Sequence, residues 1–482
     1  MIGGALRRRP AAPAMGRLAL PAHEITALAI AAVLTGCGRG APPPGETIRA
    51  GHVRFTVITP ECVRIEHSPQ DRFIDAPSIF AAARAGNPPV ATRVTRAGHS
   101  TRIDTGRIQI TFVDDGAPPG AGNLRAVIAG GKAPIVWTPG ERNAGNLGGA
   151  LRGLGAARGP VDLGEGILSR DGWYLKDDSK SALLTADGWV MPRPEGAGDD
   201  WYLFGYGADY AAGLRALGAV SGGVPLPRRA FLGSWYSRYW PLTSADYKNI
   251  VEEYRTQGFP LDIVVFDTDW HRAGWTGWSW NRDLLPDAEG LIGWLHGRGL
   301  LVTLNLHPSE GVAPHEDAYA AFMRALGADP GAGGTLRFDD TDRRYMQALL
   351  AEVQAPLERA GIDFFWVDWQ QQPNTRIPGL THLAWLNEIY YRRAARDGRR
   401  GQILSRFAGL GDQRNVGHFS GDANALWPVL QFEVPATAAA GNAGAFFWSH
   451  DIGGHRGGRD PEMLTRWVQF GALSAALRLH AS

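Results

Sequence analysis

DFFWVDWQQ, residues 363–371, is an apolar run that ends in a carboxylate set between two indoles. Its first half is aromatic and β-branched, which suits a strand buried on both faces. Asp368 then stands between Trp366 and Trp369, with Gln370 and Gln371 after it. The same texture recurs at 231–236, 261–266, 300–306, 402–407, 418–421, 445–448 and 477–480. Helix-like stretches at 244–257, 319–326, 345–360 and 380–396 fall between these runs. Eight buried-strand candidates with intervening helices predict a (β/α)8 barrel. The last run lies almost at the C-terminus, so the barrel is expected to be incomplete at its last helix.

Upstream the pattern differs. Residues 53–58 and 63–66 alternate around a turn at Pro60, and 107–112 (RIQITF) alternates cleanly. Period-2 alternation in short segments points to half-buried strands and a β-sandwich. The expected fold is therefore α/β: a TIM barrel over 226–482, preceded by an N-terminal β-sandwich over 53–225. Residues 37–52, rich in Pro and Gly, read as a linker.

A barrel places its chemistry at the C-terminal ends of its strands. Here those ends are polar: Asp267-Thr268-Asp269-Trp270-His271, Asn305-Leu306-His307, Asp368-Trp369-Gln370-Gln371, Arg406, Gly421-Asp422, His450-Asp451 and His480. Carboxylates in a Trp-lined cup suit glycosidic bond cleavage. One ionised Asp attacks or stabilises the anomeric carbon, and a second gives its proton to the leaving oxygen. Asp368 has an alternative use, an ion pair with Arg406 inside the barrel. Asp267, Asp269 and His271 share one face if their strand continues. That face offers a divalent-ion site or, with Trp and Gly around it, a grip on sugar hydroxyls; the second is the expectation, with no metal. His307, or His315 with Glu316, offers a weaker metal alternative. No cofactor is implied. The Gly-rich stretch 453–458 (GGHRGG) follows Asp451 and lacks a Lys-Ser/Thr ending, so it reads as an active-site loop, not a phosphate cradle.

Among 482 residues there are 49 Lys+Arg and 48 Asp+Glu, a balance that argues against a nucleic-acid partner. The 17 Trp suit core packing and stacking on sugar rings alike. Arg7, Arg8, Arg9 and Arg17 precede the short apolar run 25–34, too short to span a bilayer and right for a signal peptide over 1–36. The run leads into Leu34-Thr35-Gly36-Cys37, which resembles the bacterial lipoprotein box. Lipidation of Cys37 would anchor an exported chain to the cell envelope, its only membrane contact. Cys62, the other cysteine, then has no intrachain partner.

Several motifs in one order are more specific than any single ending. RFTVITPECVRIEHSP (54–69), ILSRDGWYLKDDS (167–179), FLGSWYSRYWPLTSADY (231–247), LDIVVFDTDWH (261–271), FFWVDWQQ (364–371), SRFAGLGDQRNVGHFSGD (405–422) and FFWSHDIGGH (446–455) together resemble glycoside hydrolase family 31. The resemblance runs from about residue 53 to the end. It implies a retaining, exo-acting α-glycoside hydrolase of α-glucosidase type, with an oligosaccharide or α-glycoside as substrate. Asp368 matches the nucleophile and Asp422 the general acid/base. Asp267 matches the aspartate that holds hydroxyls; Arg406, Asp451 and His480 match residues around the same sugar, and Trp366 an aromatic beside the nucleophile. Asp269 and Trp369 are added as candidate sugar contacts. Two positions depart from well-known members: Trp369-Gln370-Gln371 replaces a Met-Asn-Glu-like run, and His455 replaces an aromatic. These departures keep α-xylosidase, α-galactosidase and α-N-acetylgalactosaminidase activity open. Family members continue beyond this C-terminus, so a truncated, non-catalytic carbohydrate-binding protein is the other expectation.

Overall fold

The computed structural model describes residues 47–131, 133–458 and 460–482. The signal peptide, Cys37 and the linker up to residue 46 lie outside them. The rest of the expected linker contains a strand. Thr47–Ala50 pairs antiparallel with Val53–Thr59, because Ile48 and Ala50 turn inward while Thr47 and Arg49 face water.

Two five-stranded antiparallel sheets fill the N-terminal part. One orders Thr47–Ala50, Val53–Thr59, Cys62–His67, Asp199–Gly205 and Trp173–Asp177; the other is a meander from Arg93–Ala97 to Ile135–Trp137. The alternation seen at 107–112 is realised. Ile108, Ile110 and Phe112 are buried, whereas Gln109, Thr111 and Val113 are not. The buried set meets Phe55, Val63 and Ile65 of the first sheet in one apolar cluster, with Phe55 and Phe112 rings 5.8 Å apart. Cys62 is buried and unpaired.

The barrel strands pair in parallel in the order Leu404–Ser405, Phe364–Val367, Leu301–Leu306, Ile263–Phe266, Ser234–Tyr236, Leu477–Leu479. Each fully buried Val, Ile or Phe in these strands contributes about 1.5–3 kcal/mol, and all four residues of both Ile263–Phe266 and Phe364–Val367 are buried. The sixth and seventh members are reduced to single bridges. Ser405 pairs with His418, His418 with Trp448, and Ser449 with Ala476, which links the fifth strand to the last. The runs at 418–421 and 445–448 thus hold the expected places without forming extended strands.

Helices Ser244–Thr256, Ala288–His296, Tyr319–Ala325, His382–Ala394, Trp427–Ala440 and Pro461–Ala472 cover the outside. Ser244–Thr256 begins at a full capping box, in which Thr243 and Asp246 exchange side-chain-to-backbone hydrogen bonds. The stretch expected as one helix over 345–360 contains a π segment, Leu349–Gln354, ahead of Pro356, which has no N–H to continue the ladder. Between the fifth and sixth strand positions the described residues hold only the 3-10 turn Asp412–Arg414. An upstream helix, Tyr210–Ser221, meets that turn: Gln413 Nε2 donates to Ser221 Oγ at 2.6 Å. Contacts cross the boundary expected at 225/226 elsewhere too. Leu151 and Leu154 pack with Val429, Leu430 and Trp467, and the described residues form one compact unit. No helix among the described residues is long and apolar enough to cross a membrane.

Candidate active site

Asp368 follows the fourth strand directly, and its N–H still donates to Leu306 O at 3.0 Å. The side chain is almost fully buried. Arg406 Nε donates to Oδ1 at 2.9 Å, Gln370 Nε2 to Oδ2 at 2.8 Å, and His307 Nε2 lies 3.4 Å from Oδ2. Burial alone pushes a carboxyl up. The Arg406 charge and the His307 and Arg406 hydrogen bonds outweigh it and hold Asp368 well below the usual carboxylate range. It is a permanently charged group in a dry place.

Asp422 stands across the same guanidinium. Arg406 Nη2 lies 3.6 Å and Arg456 Nη2 3.7 Å from its carboxylate, which is partly exposed. One arginine therefore spans both carboxylates, and both line the same cavity. Gly421 makes this possible. Its φ is +82°, and a Cβ there would meet Arg406 Nη1 at 2.0 Å.

Below the pair lies a cavity of about 160 Å³ lined by Asp267, Asn305, His307, Trp366, Asp368, Gln370, Asp422, His455 and His480, with Tyr239 and Trp275 at its walls. Asp267 Oδ1 accepts from Thr268 N–H at 2.7 Å and Asn305 Nδ2 at 3.1 Å, while Oδ2 has no hydrogen-bond partner among the described residues. Burial pushes its carboxyl up. Trp366 is buried with its Nε1 unpartnered, edge-on to His480 at 5.3 Å. His480 Nδ1 pairs with Ser237 Oγ at 2.7 Å, and its ring stacks on His455 at 4.9 Å. Two residues that line the cavity thus carry a buried polar atom, a carboxylate oxygen and an indole N–H, without a partner among the described residues.

Four expected contacts do not line this cavity; one of them, Arg406, lines the outer pocket. The chain turns at Thr268–Trp270 into a 3-10 turn, so Asp269 leaves the face that Asp267 keeps and does not line the cavity. The shared face with His271 is lost for the same reason. Asp451 is fully buried one layer behind, paired with Arg478, its Oδ2 3.9 Å from His455 Nδ1. Burial pushes its carboxyl up to about 7 against the pull of Arg478. Trp369 packs on Phe338 and His382 and donates from Nε1 to Gln372 O at 2.8 Å; it lines a second, outer pocket instead. Asp451, His455 and His480 have ligand-type atoms within 4.8 Å of one another, but the Arg478 guanidinium on Asp451 opposes a cation there.

A family model described as "Glycosyl hydrolases family 31 TIM-barrel domain" matches residues 224–482. The chain belongs to glycoside hydrolase family 31. An α-xylosidase of Emericella nidulans is 25% identical over 285 residues, which cover 52% of this chain and 36% of that protein. α-Glucosidase 2 of Bacillus thermoamyloliquefaciens is 24% identical over 321 residues, 60% of this chain and 40% of that one. The chain thus matches about two-fifths of these curated relatives' length. A solved family 31 dextranase of Flavobacterium johnsoniae superposes with a TM-score of 0.68 at 16% identity, covering 92% of this chain and 65% of that chain. The family 31 barrel is thereby established as the fold.

Within this family 31 site, sequence reasoning missed Tyr239, Trp275 and Arg456 as cavity walls. Arg456 was visible inside GGHRGG, but only as part of a loop. It also missed Asp412, which lies just after the Arg406 strand end. Asp412 accepts from Ala408 N–H and Asn387 Nδ2 at 2.8 Å, and the same Asn387 amide donates to Arg406 O at 3.0 Å. Burial pushes its carboxyl up to about 7. The unfolded chain releases that proton near 3.8, the folded chain near 7. Between these values the folded state holds the extra proton, so the contribution to stability falls as pH rises. The unfolding free energy from denaturant melts over pH 4–8 should therefore fall more steeply with rising pH in the native protein than in Asp412→Asn, by up to roughly 1.4 kcal/mol per pH unit within the window.

Proposed function

We propose that the chain is a retaining, exo-acting α-glycoside hydrolase that works by double displacement. The observation that carries this reading is the single guanidinium, Arg406, that touches Asp368 on one side and Asp422 on the other at the lip of a one-ring cavity. Asp368, charged, attacks the anomeric carbon. Asp422 gives its proton to the leaving oxygen and later takes one from water. Asp267 Oδ2 and Trp366 Nε1 hold hydroxyls of the terminal sugar, with His480 beside them. The cavity floor leaves room for one ring, which supports exo action. The two N-terminal sheets on one core are read as the sandwich that precedes the barrel.

The relatives named α-xylosidase and α-glucosidase support glucose or xylose as the sugar. Gln370, from the departing run Trp369-Gln370-Gln371, and His455, the other departure, both line the cavity, which keeps galactose and N-acetylgalactosamine in the panel. The test is a set of aryl α-glycosides of these four sugars, with the first-released anomer read by proton NMR. The α-anomer should appear first. A β-anomer, or a folded protein inert on all four, would sink the proposal. The basic N-terminus and the Leu34–Cys37 box further support an exported, lipid-anchored form; radiolabelled palmitate should be incorporated and lost in Cys37→Ser.

The same reading fixes the role of Arg406. Removing the cation lets burial of Asp368 prevail, so the nucleophile takes up its proton at higher pH. Arg406→Gln is expected to move the acid limb of kcat/KM upward by roughly 1–3 pH units, measured on a substrate with an activated leaving group.

A further inference from the structure

The cavity opens into a larger pocket of about 590 Å³, of the size that holds a drug-sized ligand. The two share Gln370, Asp422 and Arg456. A group joined to the sugar through the oxygen that Asp422 protonates therefore lies in the outer pocket. Its walls are Trp369, Gln371, Pro373 and Leu383 on the barrel side and the segment 152–156 on the other, with Arg406 and Arg456 between.

The charges on these walls do not balance. Arg406 is matched by Asp368 at 2.9 Å. Arg456 approaches only Asp422, at 3.7 Å, and its side chain is 62% exposed. Arg152 is exposed, and among the described residues no carboxylate lies within 4 Å of its guanidinium. Asp422 is the only carboxylate on the pocket wall, against three arginines there. Arg152 then faces the leaving group with no carboxylate partner among the described residues, and Arg456 shares Asp422 with Arg406. The chain as a whole is nearly neutral, 49 basic against 48 acidic residues, so this local excess does not reflect a generally basic surface.

The backbone segments that carry both arginines are held in place, while the two side chains stay exposed to the pocket. Leu154 N–H donates to Ser420 O and Ala156 N–H to Asp422 O at 3.0 Å, while Asn424 Nδ2 donates to Ala157 O at 2.8 Å. Leu151 and Leu154 are buried on either side of Arg152. Gly153 sits so close that a Cβ would meet Ser420 O at 2.7 Å. On the other flank His455 N–H donates to Ala423 O at 2.7 Å and Ala425 N–H to Arg456 O at 2.9 Å. The loop 420–425 that carries the acid/base thus holds an arginine-bearing segment on each side. Guanidinium forks carried on such anchored backbone match the oxygens of a carboxylate, sulfate or phosphate.

We propose that the outer pocket takes a leaving group that bears an anionic substituent, read by Arg152 and Arg456. This rests on the hydrolase reading above and names the chemistry of its second binding site. The anion takes no part in bond-making. Asp368 forms the new bond to the anomeric carbon, the glycosidic C–O bond breaks, and the Asp422 proton goes to the leaving oxygen.

The test compares aryl α-glycosides of the preferred sugar that carry a carboxylate, a sulfonate or a phosphate on the ring with neutral ones of matched leaving-group acidity. The ratio of kcat/KM, anionic over neutral, is expected to be about tenfold or more at low salt and to shrink as salt screens the arginines. Arg152→Gln, at an exposed side chain without a carboxylate partner, should bring that ratio down severalfold with an unchanged melting temperature. The carboxylate, sulfonate and phosphate arms distinguish a planar from a tetrahedral anion. A ratio at or below one, or a ratio that Arg152→Gln leaves intact, overturns the proposal. Thio-linked, non-hydrolysable versions of the same pairs, titrated calorimetrically, separate it from the hydrolase reading. Tighter binding of the anionic partner without turnover of any oxygen-linked glycoside supports the pocket and ends the hydrolase reading; equal binding overturns the pocket alone.

Discussion

Asp368→Ala is expected to lower kcat on the order of 10⁵-fold, about 7 kcal/mol of transition-state stabilisation, while leaving the fold intact. The size follows from what is removed. In the proposed mechanism Asp368 supplies the atom that becomes bonded to the anomeric carbon, and no other carboxylate lining the cavity has both Arg406 and His307 against it. Asp267 lies deeper, with its carboxyl pushed up by burial and one oxygen already taken by Thr268 and Asn305. It cannot substitute for a group that Arg406 and His307 keep ionised. The substitution also leaves space beside Arg406, whose charge remains. A small anion such as azide should enter there and attack a glycosyl fluoride from the face the carboxylate used. The expected product is the β-glycosyl azide, identified by NMR, with Asp422 untouched. Turnover of an ordinary aryl glycoside within about tenfold of native would remove Asp368 from the mechanism.

The strand that presents Asp368 was legible because four consecutive residues, Phe364–Val367, are buried on both sides and the sequence has no polar break until the catalytic edge. The same holds for Ile263–Phe266 and Leu301–Leu306. The later strands were hard to read for a physical reason. Their pairing is two residues at Leu404–Ser405 and one each at His418 and Trp448, so no periodicity can build up. Helix Pro461–Ala472 carried a readable start, with Asp460 capping Glu462 and Met463 N–H groups and Pro461 in the first turn. Trp427–Ala440 did not, being apolar almost throughout and holding Pro435. Within the site, Asp267, Asn305, His307, Asp368 and Gln370, at the ends of strands two to four, all line the cavity. Asp269 does not line it, since a local turn breaks the period-2 argument two residues past the strand. Asp451 does not line it either, because sequence gives no depth and Arg478 holds it in the layer behind His455. Arg152 had no signal at all. Its proximity to Asp422 is created by the packing of Leu151 and Leu154 on barrel helices far along the chain.

Asp422→Ala should behave differently, and the difference is the sharper test of the assignment. General acid assistance is worth roughly 10²–10⁴-fold, and only where the leaving oxygen needs a proton. Disaccharides and alkyl glycosides should therefore lose the full factor. A glycosyl fluoride or dinitrophenyl glycoside departs unaided, so its first step should stay near the native rate. The second step then limits, because no base remains to activate water, and glycosyl-enzyme on Asp368 accumulates. A burst of released phenol followed by slow turnover is the expected trace. Azide needs no base and should restore turnover, giving the α-glycosyl azide, opposite in configuration to the product from Asp368→Ala. The geometry makes the variant a clean one. Asp422 is only partly buried, its loop is pinned by the backbone of Leu154 and Ala156, and Arg406 keeps Asp368 as a partner. Loss of the carboxylate therefore leaves neither a buried cavity nor an unpaired buried charge. An equal loss across all leaving groups, with no burst and no azide product, would show that Asp422 orients the site without transferring a proton. The acid would then have to be sought among the other groups that line the cavity mouth, His455 first, since its ring lies between Tyr239 and His480 at the same lip.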